Sequence, residues 1–291
     1  SGLKYSLLFK EPVSHIATGS FIYKNHYANF LMLCLSAAIG YLIARLHLDA
    51  DTSKREKLRR LVQFWLSNKV LFRIGIIIMV IALVMSRSRM GNTAFFAAVT
   101  VVGLLSLVLI KQRTKGLTIL IVSMFIIDMF ILSAWFGLDK VKTRLEETSF
   151  TQETRDEVVR DSIPLLENVA LTGAGMGTFY TAYPKYTGED VDIFYDHAHN
   201  DYLQFLSERG LIGFIPLLLC VVITFGIALS ALKKRNNPLM RGCAFGCLMS
   251  MLAMSIHATV DFNLQMPANG ATFMLVLALG WIARYMPRGK E

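Results

Sequence analysis

Seven apolar runs follow one another along the chain, at residues 27–46, 70–85, 93–110, 117–135, 211–232, 243–260 and 270–283. A helix needs roughly 20 mostly apolar residues to cross a bilayer's hydrocarbon core. Inside lipid every backbone polar group must be satisfied within the segment, which leaves the helix as the natural solution. A soluble domain of 291 residues could bury one or two such runs, but has no use for seven in series. Hydrophobic residues make up 54% of the chain, and its mean hydropathy is +0.48. These features predict an all-α, polytopic transmembrane bundle with about seven spans. Residues 1–135 carry the first four spans, 136–210 form a largely helical outer loop, and 211–291 carry the last three. The chain opens on Ser1 within an apparent loop, and further spans are expected ahead of it.

The charges orient this bundle. The net charge is +9. Of the 30 Lys and Arg, 18 fall in or beside "RLHLDADTSKREKLRR", "KQRTK", "KKRNNPLMR" and "RYMPRGK". These segments lie at alternate ends of the spans, and short basic loops stay cytoplasmic. The basic balance is therefore a record of topology and not a nucleic-acid footprint. Residues 54–60 are expected inside and 190–201 outside. Four pieces then share the outer face: 1–26, the turn "SRSRMGN" (86–92), the loop 136–210, and "HATVDFNLQMPAN" (257–269). Cys34, Cys220, Cys243 and Cys247 all sit inside apolar runs, which argues against a disulfide framework. Cys243 and Cys247 share a helix face and read as small-residue packing in preference to a thiol metal site.

The unusual polar residues lie on the outer pieces. Arg87 and Arg89 occupy a turn so short that both stay close to the bilayer. A guanidinium fork takes phosphate oxygens in bidentate fashion and keeps its charge. The alternative is snorkelling to lipid head groups. In the long loop Val158, Val159, Ile163 and Leu166 recur at helical spacing, with Thr151 or Thr154 as a cap and Pro164 as a kink or an end. Arg155 falls in the first turn, where its plain role is a solvated charge near Glu153 or Asp156. "GAGMG" (173–177) follows no strand and reads as a tight turn.

"YDHAHND" places His197 and His199 between Asp196 and Asp201. Two readings are open. One is a metal site completed from elsewhere in the chain. The other is a general base, for which an unperturbed pKa of about 6.5 is well suited. The next stretch, "NDYLQFLSERG", reads as the first turns of a helix that enters the membrane at Leu211, capped by Asn200 or Asp201. Its dipole would favour an anion at that end. Asp128, inside the fourth run, is either functional or paired with an arginine of the 86–92 turn.

"HNDYLQFLSERGLIG" fits the pattern H-[NSQ]-x9-G-x2-[GTY] through His199, Asn200, Gly210 and Gly213. "GSFIYKNHYANFL" is similar to G-[TS]-F-x-N-R-N-H-F-A, with Tyr23 and Lys24 in place of Asn and Arg. "SRSRMG" and "HATVDFNLQMPAN" resemble two further motifs of the same set. Over most of its length the chain resembles the bacterial O-antigen ligase and polymerase superfamily. The resemblance implies a GT-C membrane glycosyltransferase of the inner membrane, with its site on the periplasmic side. Such an enzyme moves a glycan from undecaprenyl pyrophosphate to an acceptor hydroxyl on lipid A core or on another glycan, with inversion, and uses no metal or cofactor. The resemblance gives His199 the base role, and gives Arg89 and Arg155 the pyrophosphate. It places Lys24, Asn25, His26, Arg87, His197, Asn200 and Asp261 in substrate binding; Lys24 cannot supply an arginine's bidentate contact. A repeat-unit polymerase, a protein oligosaccharyltransferase and a transporter are the competing readings. A transport path usually needs more mid-span acids than Asp128 alone.

Overall fold

The computed structural model describes residues 16–46, 68–110, 118–119, 121–126, 154–188, 191 and 194–287. Among these the regular structure is helical, and the chain is a helical membrane protein. The long helices are α1 (Lys24–Leu46), α2 (Asn68–Met85), α3 (Arg89–Leu109), α4 (Thr154–Val169), α5 (Asp201–Lys234), α6 (Pro238–His257) and α7 (Pro267–Tyr285). Four of them, α1, α3, α5 and α6, are long and apolar enough to cross a bilayer. The run 117–135, with Asp128, lies largely outside the described residues.

The bundle is built on the antiparallel pair α1 and α6. Ser36, Gly40 and Ala44 recur every four residues on α1, and Gly242 and Gly246 do so on α6. A Cβ on either Gly40 or Gly242 would run into the other's carbonyl oxygen, and one on Gly246 would meet Ser36 O. Lipid tails are as apolar as leucine, so burial alone drives no association between spans. Small residues bring the backbones close enough for dispersion to do so. Cys247 belongs to the same small-residue packing, with its Sγ against Gly280 of α7. On α2 and α5, Leu71, Ile77, Ile78, Ile212, Val222 and Ile223 are exposed, as lipid-facing side chains should be.

The two ends of the bundle differ in chemistry. One end gathers Lys233, Lys234, Arg235, Arg241 and Arg284. There Arg235 Nε donates to Ala283 O at 2.8 Å and Arg284 Nε to Ser230 Oγ at 3.2 Å. At the other end Gly91 is wedged between Ala28 and His257, and Ala17 N donates to Met85 O at 3.2 Å. The starts of α1 and α3 and the end of α6 thus meet at one face, which also carries the histidine loop.

Helix α5 has 34 residues. That is about 50 Å at 1.5 Å per residue, well beyond the roughly 30 Å hydrocarbon core. It breaks at Gly210, whose φ of 59° and ψ of −174° are not helical. In an unbroken helix the N–H groups of Leu211 and Ile212 would bond Ser207 O and Glu208 O. Here they donate to Ala170 O at 2.8 Å and Leu171 O at 3.1 Å. The freed carbonyls of Ser207 and Glu208 accept from Ala174 N at 2.8 Å and Gly175 N at 3.0 Å. The turn after α4 therefore satisfies these four backbone groups at the kink.

That turn carries positive φ at Gly173, Gly175 and Gly177. Helix α4 continues through Pro164 instead of ending there. Together with Phe179, Tyr183, Tyr195, Ala198 and Leu203, its Val158 and Leu165 form a second small core beside the histidine loop. Asp161 Oδ2 accepts from Gly188 N at 2.9 Å. The hydrogen bond from Arg160, partly opposed by burial, holds the Asp161 carboxyl below the usual carboxylate range.

The basic-end orientation gives a direct expectation. With the native cysteines replaced, a cysteine at exposed Met176 should react with an impermeant thiol reagent on intact cells. A cysteine at exposed Asn236, between α5 and α6, should react only after lysis. The reverse pattern would invert the bundle.

Candidate active site

The histidine loop is fastened to the segment after α6. Asn200 is the cap of α5, its Oδ1 accepting from Leu203 N at 3.1 Å. Its Nδ2 donates to Thr259 O at 3.0 Å. Asp201 N donates to Ala258 O at 2.9 Å and Asp261 O at 3.2 Å. In return Leu264 N donates to Asp201 Oδ2 at 3.0 Å. Between these anchors His199 takes a φ of 47°. A side chain in the left-handed region costs about 1–2 kcal/mol, and the surrounding bonds hold it there.

The strained residue faces an acid. His199 Nδ1 is 3.5 Å from Asp261 Oδ1, and Asp261 is buried. The same Oδ1 accepts from Phe262 N at 3.0 Å, and Oδ2 accepts from Asn25 Nδ2 at 2.5 Å. With both oxygens engaged as acceptors, the carboxylate favours a proton on His199 Nδ1. This leaves the Nε2 lone pair to act as a base.

His197 is arranged the other way. Its Nδ1 lies 2.9 Å from Gln204 Nε2. That amide also donates to Glu208 Oε1 at 3.1 Å, while Gln204 Oε1 accepts from Ala198 N at 3.2 Å. His197 Nδ1 also lies 3.2 Å from Gln204 Oε1, so this ring meets an amide where His199 meets a carboxylate. Of the two histidines, it is His199 whose Nδ1 faces a buried carboxylate. The two rings turn to different partners, and among the described residues no three His, Cys, Asp or Glu stand together as metal ligands.

Phe262 joins the parts. Its ring stacks on His197 with centroids 4.0 Å apart and stands edge-on to His199 at 4.9 Å and to His26 at 4.7 Å. His26 is buried, with Nδ1 3.0 Å from Asn263 Oδ1 and its carbonyl accepting from Asn269 Nδ2 at 3.2 Å.

Of the expected site residues, the structure thus joins Asn25, His26, His197, His199, Asn200 and Asp261. Lys24, partly buried, begins the same helix turn. Arg87 and Arg89 are exposed, Arg87 with a φ of 51°, in the turn that Gly91 docks against Ala28 and His257. They reach the same face, and no direct contact ties them to His199. Arg155 lies in the first turn of α4, with its side chain outside the described residues. Phe262, Gln204 and Asn263 did not stand out in the sequence. Gln204 and Glu208 do sit four residues apart after the histidines, which marks one helix face. An isolated Phe or Asn carries no comparable signal.

Residues 74–218 match the family model described as O-antigen ligase. The match contains Arg89, Arg155 and His199, while Asn25 and Asp261 lie on either side of it. No curated protein matches the chain.

Proposed function

Because the chain belongs to the O-antigen ligase and polymerase superfamily, we propose that it is a membrane glycosyltransferase of the ligase kind. It takes a glycan from undecaprenyl pyrophosphate on the periplasmic side of the inner membrane and passes it to a hydroxyl of lipid A core. The observation that carries this reading is the His199–Asp261–Asn25 chain, at the bundle end where the starts of α1 and α3 meet the end of α6. In this reading the acceptor oxygen attacks the anomeric carbon from the face opposite the pyrophosphate. The new C–O bond forms as the bond to the pyrophosphate oxygen breaks, so the configuration inverts. His199 Nε2 takes the acceptor's proton, and buried Asp261 stabilises the imidazolium. The 3.5 Å separation is long for a hydrogen bond, and catalytic hydrogen bonds commonly tighten when substrate binds.

The leaving pyrophosphate gains charge as it departs. Arg89, with Arg155 and Arg87, supplies cations to that charge, and such preorganised charges are usually the largest part of catalysis. The donor carries its own activated leaving group, so no nucleotide is required.

Purified protein in vesicles, given undecaprenyl-pyrophosphate-linked O-antigen and core lipopolysaccharide, should release free undecaprenyl pyrophosphate and glycosylated core in equal amounts. Glycan chains lengthened on the lipid carrier would instead make it a polymerase. Movement of intact donor across the vesicle without release of pyrophosphate would make it a transporter. Arg89→Ala should weaken donor binding about tenfold or more, the loss of one charge-assisted contact, and Arg89→Lys should restore only part of it. Unchanged donor affinity would remove Arg89 from the site.

A further inference from the structure

We propose that Tyr23 is the stacking wall of a sugar subsite, and that the ring it holds belongs to the acceptor glycan. The proposal rests on the transferase reading above and adds a residue and a ligand class to it. Tyr23 lies immediately before α1, at the histidine face, and is 59% exposed. It is nevertheless held in place. Its ring stands edge-on to His26 at 5.6 Å and 85°, and to Phe262 at 6.3 Å and 74°. Phe262 in turn is 4.9 Å from His199. The Tyr23 ring is therefore braced along its contacts with the cluster and remains open to the surface.

A pyranose has one face of C–H groups and a rim of hydroxyls. The first suits a fixed aromatic face, which costs little conformational entropy to present. The second suits a base and hydrogen-bond acceptors alongside. Tyr23 supplies the face, and His199, one aromatic ring further on, supplies the base. The base acts on the acceptor hydroxyl, so a ring lying over Tyr23 and reaching towards His199 is the acceptor's. This position is also one of those at which the chain departs from the motif it otherwise resembles, with Tyr in place of Asn. A stacking wall here is therefore a property of this chain's specificity. The competing role is an interfacial anchor, since tyrosines collect at the membrane surface. An anchor needs only an amphipathic or apolar side chain, whereas a sugar platform needs a ring.

The test uses the full protein in vesicles, with undecaprenyl-pyrophosphate-linked O-antigen as donor and core lipopolysaccharide as acceptor. Tyr23→Ala is expected to raise KM for the acceptor about tenfold, at the upper end for an aromatic contact, with a smaller effect on kcat and no change in donor affinity. Tyr23→Phe and Tyr23→Trp should stay within about twofold of the parent, and Tyr23→Leu should resemble Tyr23→Ala. An unchanged acceptor KM in Tyr23→Ala, rescue by leucine, or a loss falling on the donor would each overturn the subsite. If the parent transfers nothing from this donor, the transferase reading fails first. The subsite is then judged by saturation-transfer NMR with free core oligosaccharide. Contacts kept in Tyr23→Phe and lost in Tyr23→Ala support it, and their absence in the parent overturns it.

Discussion

His199→Ala is expected to lower glycan transfer about 10²–10⁴-fold, the usual cost of removing a general base, while donor affinity stays near that of the parent. His199 Nδ1 faces Asp261, and in the proposed reaction its other nitrogen serves the acceptor and not the pyrophosphate. Its loss should therefore appear in kcat. Asp261→Asn should also depress turnover, because an amide can present either a donor or an acceptor to Nδ1 and no longer favours the protonated Nδ1 tautomer. His197→Ala should be milder. His197 Nδ1 meets the Gln204 amide and not a carboxylate, and its ring stacks on Phe262. The measurements are transfer rate and donor affinity for each purified variant. Transfer by His199→Ala at the parent rate would move the base role to another group.

The second large effect is structural. Gly210→Ala should destabilise the folded protein by about 2–5 kcal/mol, combining a side chain in a region that is essentially glycine-only with a clash in a packed crossing. A Cβ at Gly210 would strike the Leu171 carbonyl, just as one at Gly173 would strike the Glu208 carbonyl. The crossing carries four backbone hydrogen bonds that stand in for the two lost at the kink, so a shift at one residue disturbs all of them. Gly226, on the same helix, has open space where a Cβ would go. Gly226→Ala should therefore be neutral, or stabilising by up to about 1 kcal/mol through helix propensity. Thermal unfolding in detergent would compare the pair. Equal midpoints would show that the crossing does not hold α5 to α4. If the crossing does hold, Gly210→Ala should also reduce transfer in the surviving folded fraction, since the histidine loop is carried on the segment of α5 before the kink.

The kink also gives a physical reason for the spacing in "HNDYLQFLSERG". Asn200 caps α5, and Gly210 ends its first segment ten residues later. The segment between them is the arm that contributes Leu203 to the second small core and carries Gln204 beside His197. The pattern was visible before the structure, but its cause was not. The pairing of His199 with Asp261 was legible only as two separate motifs on one expected face. That the same acid also takes Asn25 Nδ2 needed the fold. Phe262, which touches three histidines, carried no sequence signal, because an apolar residue beside Asp261 reads as ordinary packing.

What the sequence determined by itself was whatever depends on neighbours along the chain. Run length sets the spans, the alternation of basic loops sets the expected orientation, and Asn200 before a helical stretch sets a cap, since each acts within one or two turns. The tertiary structure decided everything that depends on contacts between distant segments. Residues 25, 199 and 261 meet because small residues let α1 and α6 pack closely, bringing the start of one beside the end of the other. That a carboxylate reaches His199 Nδ1 while the Gln204 amide reaches that of His197 is a matter of a few ångströms. Hydrophobic period and charge are sums over many residues and survive in the sequence as patterns. A proton's position depends on one hydrogen bond between groups far apart in the chain, and becomes readable only once the helices are packed.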